Sequence, residues 1–162
     1  MGIYNTRELY IKMLSDVLKR EERVSEIFTM LREIAQDSRI KELLDSAMYL
    51  TENSCASLDR CFKMIGEKPV ASESKLLDVF IDDFKRELES IQAPVAKVLY
   101  IASKASHLIQ IRIGELETLV LMSDMNGHPG VSLLLDSVLS QKQVFIDRIL
   151  GRFAEVLQGE NK

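Results

Sequence analysis

The sequence predicts an all-α protein: a four-helix bundle of two antiparallel hairpins, joined by a long crossover that carries a short fifth helix. Three observations lead there. Apolar residues recur at three- and four-residue spacing along most of the chain, as they do on one buried face of a helix. No stretch shows the apolar-polar alternation of a strand, and no internal repeat is present. Gly and Pro number only seven and three, and most fall where one helical pattern stops and the next begins. With 162 residues and 46% apolar composition, the chain suits one domain over 1–162 with a substantial core.

The first helix, 6–35, opens at Asn5, with Glu8 three residues on in a capping-box arrangement. Its stripe runs Leu9 or Tyr10, Met13, Val17, Val24, Phe28, Leu31, and Ile34 or Ala35. Asp37 is a candidate cap for the second helix, 38–65, which turns Ile40, Leu43, Leu44, Ala47, Leu58, Phe62 and Ile65 inward. Gly66-Glu67-Lys68-Pro69 stops it, because Gly accepts the left-handed cap and Pro cannot continue a helix. Ser72 is read as the cap of a shorter helix, 73–90, with Leu76, Leu77, Phe80, Ile81, Phe84 and Leu88 on one side. That face either covers the bundle or meets a second copy. Pro94 fits the first position of the fourth helix, 94–125. Asn126-Gly127-His128-Pro129-Gly130 breaks the pattern, and the fifth helix runs 129–158 before a polar, frayed tail. The four long helices should each be ~40–48 Å long at the α-helical rise. Short loops make hairpins of helices 1–2 and 4–5, and the 66–93 segment is long enough to cross the bundle. Two hairpins with one long crossover is the ferritin-like connectivity.

Composition narrows the function. A net charge of −4 argues against nucleic acid as a partner, since phosphate binding needs clustered Lys and Arg. No apolar run is long enough to span a membrane, and the N-terminus does not read as a secretory signal. Cys55 and Cys61 lie six apart in one helix, so they point to different sides and cannot pair within it. Two small buried thiols in a reducing cytoplasm is the expectation. No phosphate loop, nucleophile elbow or zinc motif occurs.

The informative residues are those that interrupt the apolar stripes. Glu21 stands four after Val17 and three before Val24, so it points into the core. Thr51 and Ser54 occupy the stripe of helix 2, Ser106 that of helix 4, and Gln141 with Lys142 that of helix 5. Antiparallel packing would bring them to one level. Such a mid-bundle layer either fixes helix register by hydrogen bonding or holds a carboxylate-bridged metal pair. A di-iron layer uses Glu-x-x-His pairs, and this chain has none. A lone buried carboxylate is costly, so Glu21 should be protonated, hydrogen-bonded to Ser, Thr or Gln, or paired with Lys142 or an Arg. The run Lys19-Arg20-Glu21-Glu22-Arg23 is otherwise a solvated face.

Several stretches together resemble the YciF/YciE-like ferritin-like family. They are Thr6-Arg7-Glu8-Leu9-Tyr10 with Leu14-Ser15-Asp16 and the helix around Glu21, the run Phe62-Lys63-Met64-Ile65-Gly66-Glu67-Lys68-Pro69, and Ser103 to Leu116 ending Ile113-Gly114-Glu115-Leu116. Their order and spacing extend over nearly the full chain. The resemblance implies a ferritin-like core, a homodimer, and a di-metal site in members that keep the ligands. Carried over residue by residue, it offers Glu21, Glu52 and His107 as a vestigial metal site. The acidic positions beside His107 hold Ser106 and Ile109, and helix 5 reads Leu139-Ser140-Gln141-Lys142. The expectation is a non-catalytic protein with a degenerate site and no cofactor, structural or stress-associated. The alternatives are an iron- or manganese-binding oxidoreductase or iron-handling protein, and a helical adaptor that presents the 76–84 face to a protein partner. The apolar stretch Leu116–Met125 with Leu133–Leu135 exceeds what a lone monomer buries, in keeping with a homodimer.

Overall fold

The structure is a computed structural model that describes residues 2–72 and 75–160. It contains five helices: α1 Thr6–Ile34, α2 Ser38–Ile65, α3 Leu76–Ser90, α4 Pro94–Met125 and α5 Pro129–Glu160. Among the described residues there is no strand.

Local chemistry sets most helix ends. Asn5 Oδ1 accepts the Glu8 N–H at 2.9 Å, while Glu8 reaches back to Tyr4 N and Asn5 Nδ2. Asp37 accepts the Arg39 N–H at 2.9 Å. Gly66 closes α2 at φ +76°, a conformation that favours Gly over any residue with a Cβ. Pro94 opens α4. The expected Ser72 cap is not used. The Val70 N–H donates to Ser15 Oγ of α1, which holds the crossover extended along α1. The helix begins only at Leu76, with Lys75 in the cap position and no side-chain cap bond. The predicted start at 73, with position 74, lies outside the described residues, as do 161 and 162 of the tail. At Glu160 the chain is still helical, past the expected end at 158.

The four long helices form a square in the order α1, α2, α5, α4, each antiparallel to its neighbours. Tyr10 near the start of α1 meets Ser123 near the end of α4, and Tyr10 stacks on His128 just before α5. The crossover therefore climbs the full bundle, and α3 packs against α1 and α4. Leu77, Ile81 and Phe84 bury into that seam while Leu76 and Val79 stay exposed. The α3 face is thus a cover on its own bundle.

The core divides in two. One apolar cluster gathers Val24, Phe28, Leu31, Leu44, Ala47, Phe84, Ala102, Leu108, Ile109, Phe145 and Ile149. The other gathers Tyr10, Leu14, Val17, Leu58, Cys61, Phe62, Leu116, Leu119, Leu135 and Val138. Tyr10 and Ala35, rather than Leu9 and Ile34, are the inward members of the α1 stripe. Between the two clusters lies a layer of charge.

Candidate functional site

Glu21 and Lys142 are both fully buried and face each other across the diagonal of the bundle. Lys142 Nζ donates to Glu21 Oε2 at 3.1 Å and lies 2.9 Å from Oε1, so the ammonium hydrogen-bonds one carboxylate oxygen and pairs with the other through charge alone. Of the expected solutions for a buried Glu21, the chain uses the ion pair with Lys142. Adjacent helical positions differ by about 100°, so only one of residues 141 and 142 can face inward. Lys142 does, its aliphatic stem crossing apolar core. Gln141 instead lines an open groove of about 860 Å³ between α2 and α5, with Leu50 and Phe145 on its apolar side.

A second buried cation was not picked out from the sequence. Arg112 is fully buried on α4, and its Nη1 lies 3.0 Å from Glu115 Oε2. Glu115 also pairs with Arg20 of α1, whose Nη2 lies 3.7 Å from Asp16, and Asp16 is paired with Lys12. Arg20 is therefore part of the layer rather than of a solvated face. Burial pushes the Arg112 guanidinium below its ordinary range, and the nearby Glu115 and Glu21 charges oppose that shift. Burial likewise pushes the Asp16 carboxyl up, but the hydrogen bond from Lys12 and the Lys12 and Arg20 charges outweigh it, leaving Asp16 below its ordinary range. A signal for Arg112 was present in the sequence. It stands on the α4 stripe Ala105, Ile109, Arg112, Leu116, Leu119, all buried at three- and four-residue spacing.

The α2 helix contributes hydroxyls only. Thr51 and Ser54 are buried, but they donate back to Ala47 O and Leu50 O on their own helix, at 2.8 and 2.9 Å. Ser106, expected in the layer, is buried but sits less than two turns from Arg112, about 9 Å along the axis, among the residues of the first apolar cluster. In an antiparallel pair, the α4 residues level with Glu21 lie near 112–115, as the Arg20–Glu115 contact shows.

Glu21, Glu52 and His107 do not converge. Glu52 is exposed on α2. His107 is exposed on α4, beside Phe80 and Lys104 at the edge of α3. Among the described residues, no group of three His, Cys, Asp or Glu side chains could hold a metal ion. The donor set does not suit a di-metal centre. Its one fully buried carboxylate is already neutralised by Lys142, and Arg112 would repel a metal cation. Burial pushes the Cys55 thiol up to about 12, with the Glu21 charge adding to it, and the Cys61 thiol up to about 11. Neither is a ready nucleophile. No helix among the described residues is long and apolar enough to cross a membrane.

Residues 5–158 match the family described as a domain of unknown function, DUF892. The chain belongs to the DUF892 family. Solved structures share its fold. The Escherichia coli stress protein YciF superposes with a TM-score of 0.90 at 13% identity, covering 96% of this chain and 99% of that one. YcfI of Rhodopseudomonas palustris, to which a structural role is ascribed, gives 0.85 at 20% identity, covering 91% and 94%. A protein from Xanthomonas campestris pv. campestris gives 0.74 at 15% identity, covering 98% and 100%. The family resemblance read in the sequence is thus shown, and with it the all-helical YciF-like architecture of this DUF892 chain. No curated protein matches the chain.

Proposed function

We propose that this DUF892 chain is a non-catalytic ferritin-like bundle with a structural or stress-associated role, acting as a cytoplasmic homodimer. One observation carries the non-catalytic reading: the middle of the bundle is neutralised by the chain's own Lys142 and Arg112, where a ferritin-like enzyme would place metal-bridging acids and imidazoles. The stress and structural descriptions of two proteins of the same fold are in keeping with it. So is the inertness of the two thiols, Cys61 buried and Cys55 half-buried.

Exposed apolar side chains support the dimer. Leu121, Met125 and Leu133, on the stretches expected to be covered, are 66%, 81% and 73% exposed in the single chain. The adaptor reading is weakened because Leu77, Ile81 and Phe84 of α3 are already spent on the bundle.

Metal analysis tests the central point. Protein purified with added iron or manganese should carry far less than one ion per chain, and about two per chain, as in an intact di-iron bundle, would overturn the reading. Light scattering after size exclusion should give twice the mass of one chain, and a monomer at micromolar concentration would remove the dimer.

A further inference from the structure

Buried polar atoms without hydrogen-bond partners concentrate at one place. Of eight such side-chain atoms among the described residues, six lie in the charged layer: Arg112 Nε, Nη1 and Nη2, Arg20 Nε, Glu21 Oε1 and Glu115 Oε2. Arg112 Nη1 is close enough to Glu115 Oε2 for Coulombic pairing, but the two are not aligned as a hydrogen bond. A guanidinium carries five N–H donors, and leaving one dry costs its full desolvation. The unmet groups are of both kinds, donors on Arg112 and Arg20 and acceptors on Glu21 and Glu115. This mixture selects the ligand. An anion beside Arg112 would also lie near two carboxylates. A metal ion would face Lys142, Arg112 and Arg20. A small neutral molecule that both donates and accepts suits every group, and water is that molecule.

We propose that the layer is an internal hydration site, in which a small cluster of water molecules joins Arg112 to Glu115 and Glu21. The proposal rests on the metal-free reading of the layer. Access is through the α1–α4 seam. Arg20 and Glu115, the pair that closes it, are 17% and 21% exposed, whereas Glu21, Arg112 and Lys142 are sealed. The water therefore exchanges past the Arg20–Glu115 pair. It completes a layer that the side chains alone leave half satisfied, and so helps to set the register of α4 against α1.

Two measurements on the whole chain test this. In oxygen-17 magnetic relaxation dispersion, the wild-type protein should show long-lived internal water. That signal should be lost in Arg112→Leu/Glu115→Leu, and its residence time should shorten in Arg20→Ala, which opens the seam. A wild-type signal no greater than that of the double variant would overturn the proposal. The second measurement needs no variant, which covers the case in which the double variant fails to fold. A high-resolution crystal structure grown with bromide, with anomalous data at the bromine, iron and manganese edges, should show water density within hydrogen-bond reach of Arg112. A bromine peak there makes the site an anion site and overturns the hydration proposal alone. An iron or manganese peak overturns the non-catalytic reading as well. Side chains closed directly on one another with no density between them overturn the proposal and leave that reading standing.

Discussion

The middle of this bundle and the apolar clusters on either side of it are built from the same helices at the same spacing, yet they follow different physics. In the flanks, Val24, Phe28, Leu44 and Phe145, and then Leu14, Val17, Leu58 and Leu135, contribute by leaving water. That term is non-directional and tolerates repacking. In the middle, Glu21, Lys142, Arg112, Glu115, Arg20 and Asp16 gain only if each charge meets its partner. The flanks thus supply stability. The middle supplies specificity, because sliding a helix by one turn would strand a buried charge.

The two regions should respond differently to mutation. Lys142→Met leaves Glu21 sealed without its ion-pair partner, and urea unfolding should show a loss of about 3–5 kcal/mol. A loss under about 1 kcal/mol would mean that Glu21 finds another partner. In the flanks, Leu44→Ala should cost about 2–5 kcal/mol through lost burial and a cavity. The sharper test is Glu21→Leu/Lys142→Leu. Removing both charges should restore stability to near wild type or above it, since apolar replacement of a buried pair is often neutral or favourable. A double variant as unstable as Lys142→Met would show that the penalty is geometric rather than electrostatic.

Acid and base probe the same contrast more gently. Asp16 titrates below its ordinary range when folded, so its contribution is present above the unfolded value and is lost as pH falls through the folded one. Cys55 and Cys61 titrate above theirs, at about 12 and about 11, so their contribution is intact below the unfolded thiol value and is lost as pH rises through the folded one. Urea midpoints should fall at both extremes, and Cys55→Ala/Cys61→Ala should flatten only the alkaline limb. Smallest of all is the exposed Arg7–Glu67 pair, where Arg7→Ala should change stability by about 1 kcal/mol or less.

Much of the architecture was legible because its signals are local. The Asn5 and Asp37 caps, the Gly66 stop and the Pro94 start depend on a few consecutive residues and on backbone geometry. Ser72 failed as a cap because Ser15, far away in sequence, holds Val70. In the site, Glu21 was legible because one acid breaks an otherwise apolar stripe. Arg112 lay on an equally clear stripe, but Glu115 three residues on made it resemble an ordinary surface i,i+3 pair. Glu52 and His107 were offered by alignment to a family pattern, and the structure turns both outward.

Periodicity alone determined that the chain is all-helical, where its helices lie, and that Glu21 faces inward, because those properties follow from which residues share one side of a 3.6-residue turn. Only the tertiary structure decided what Glu21 meets. Its partner Lys142 is 121 residues away. The level at which α4 and α5 pass α1 depends on how two hairpins and a crossover pack together, and no local pattern encodes that height.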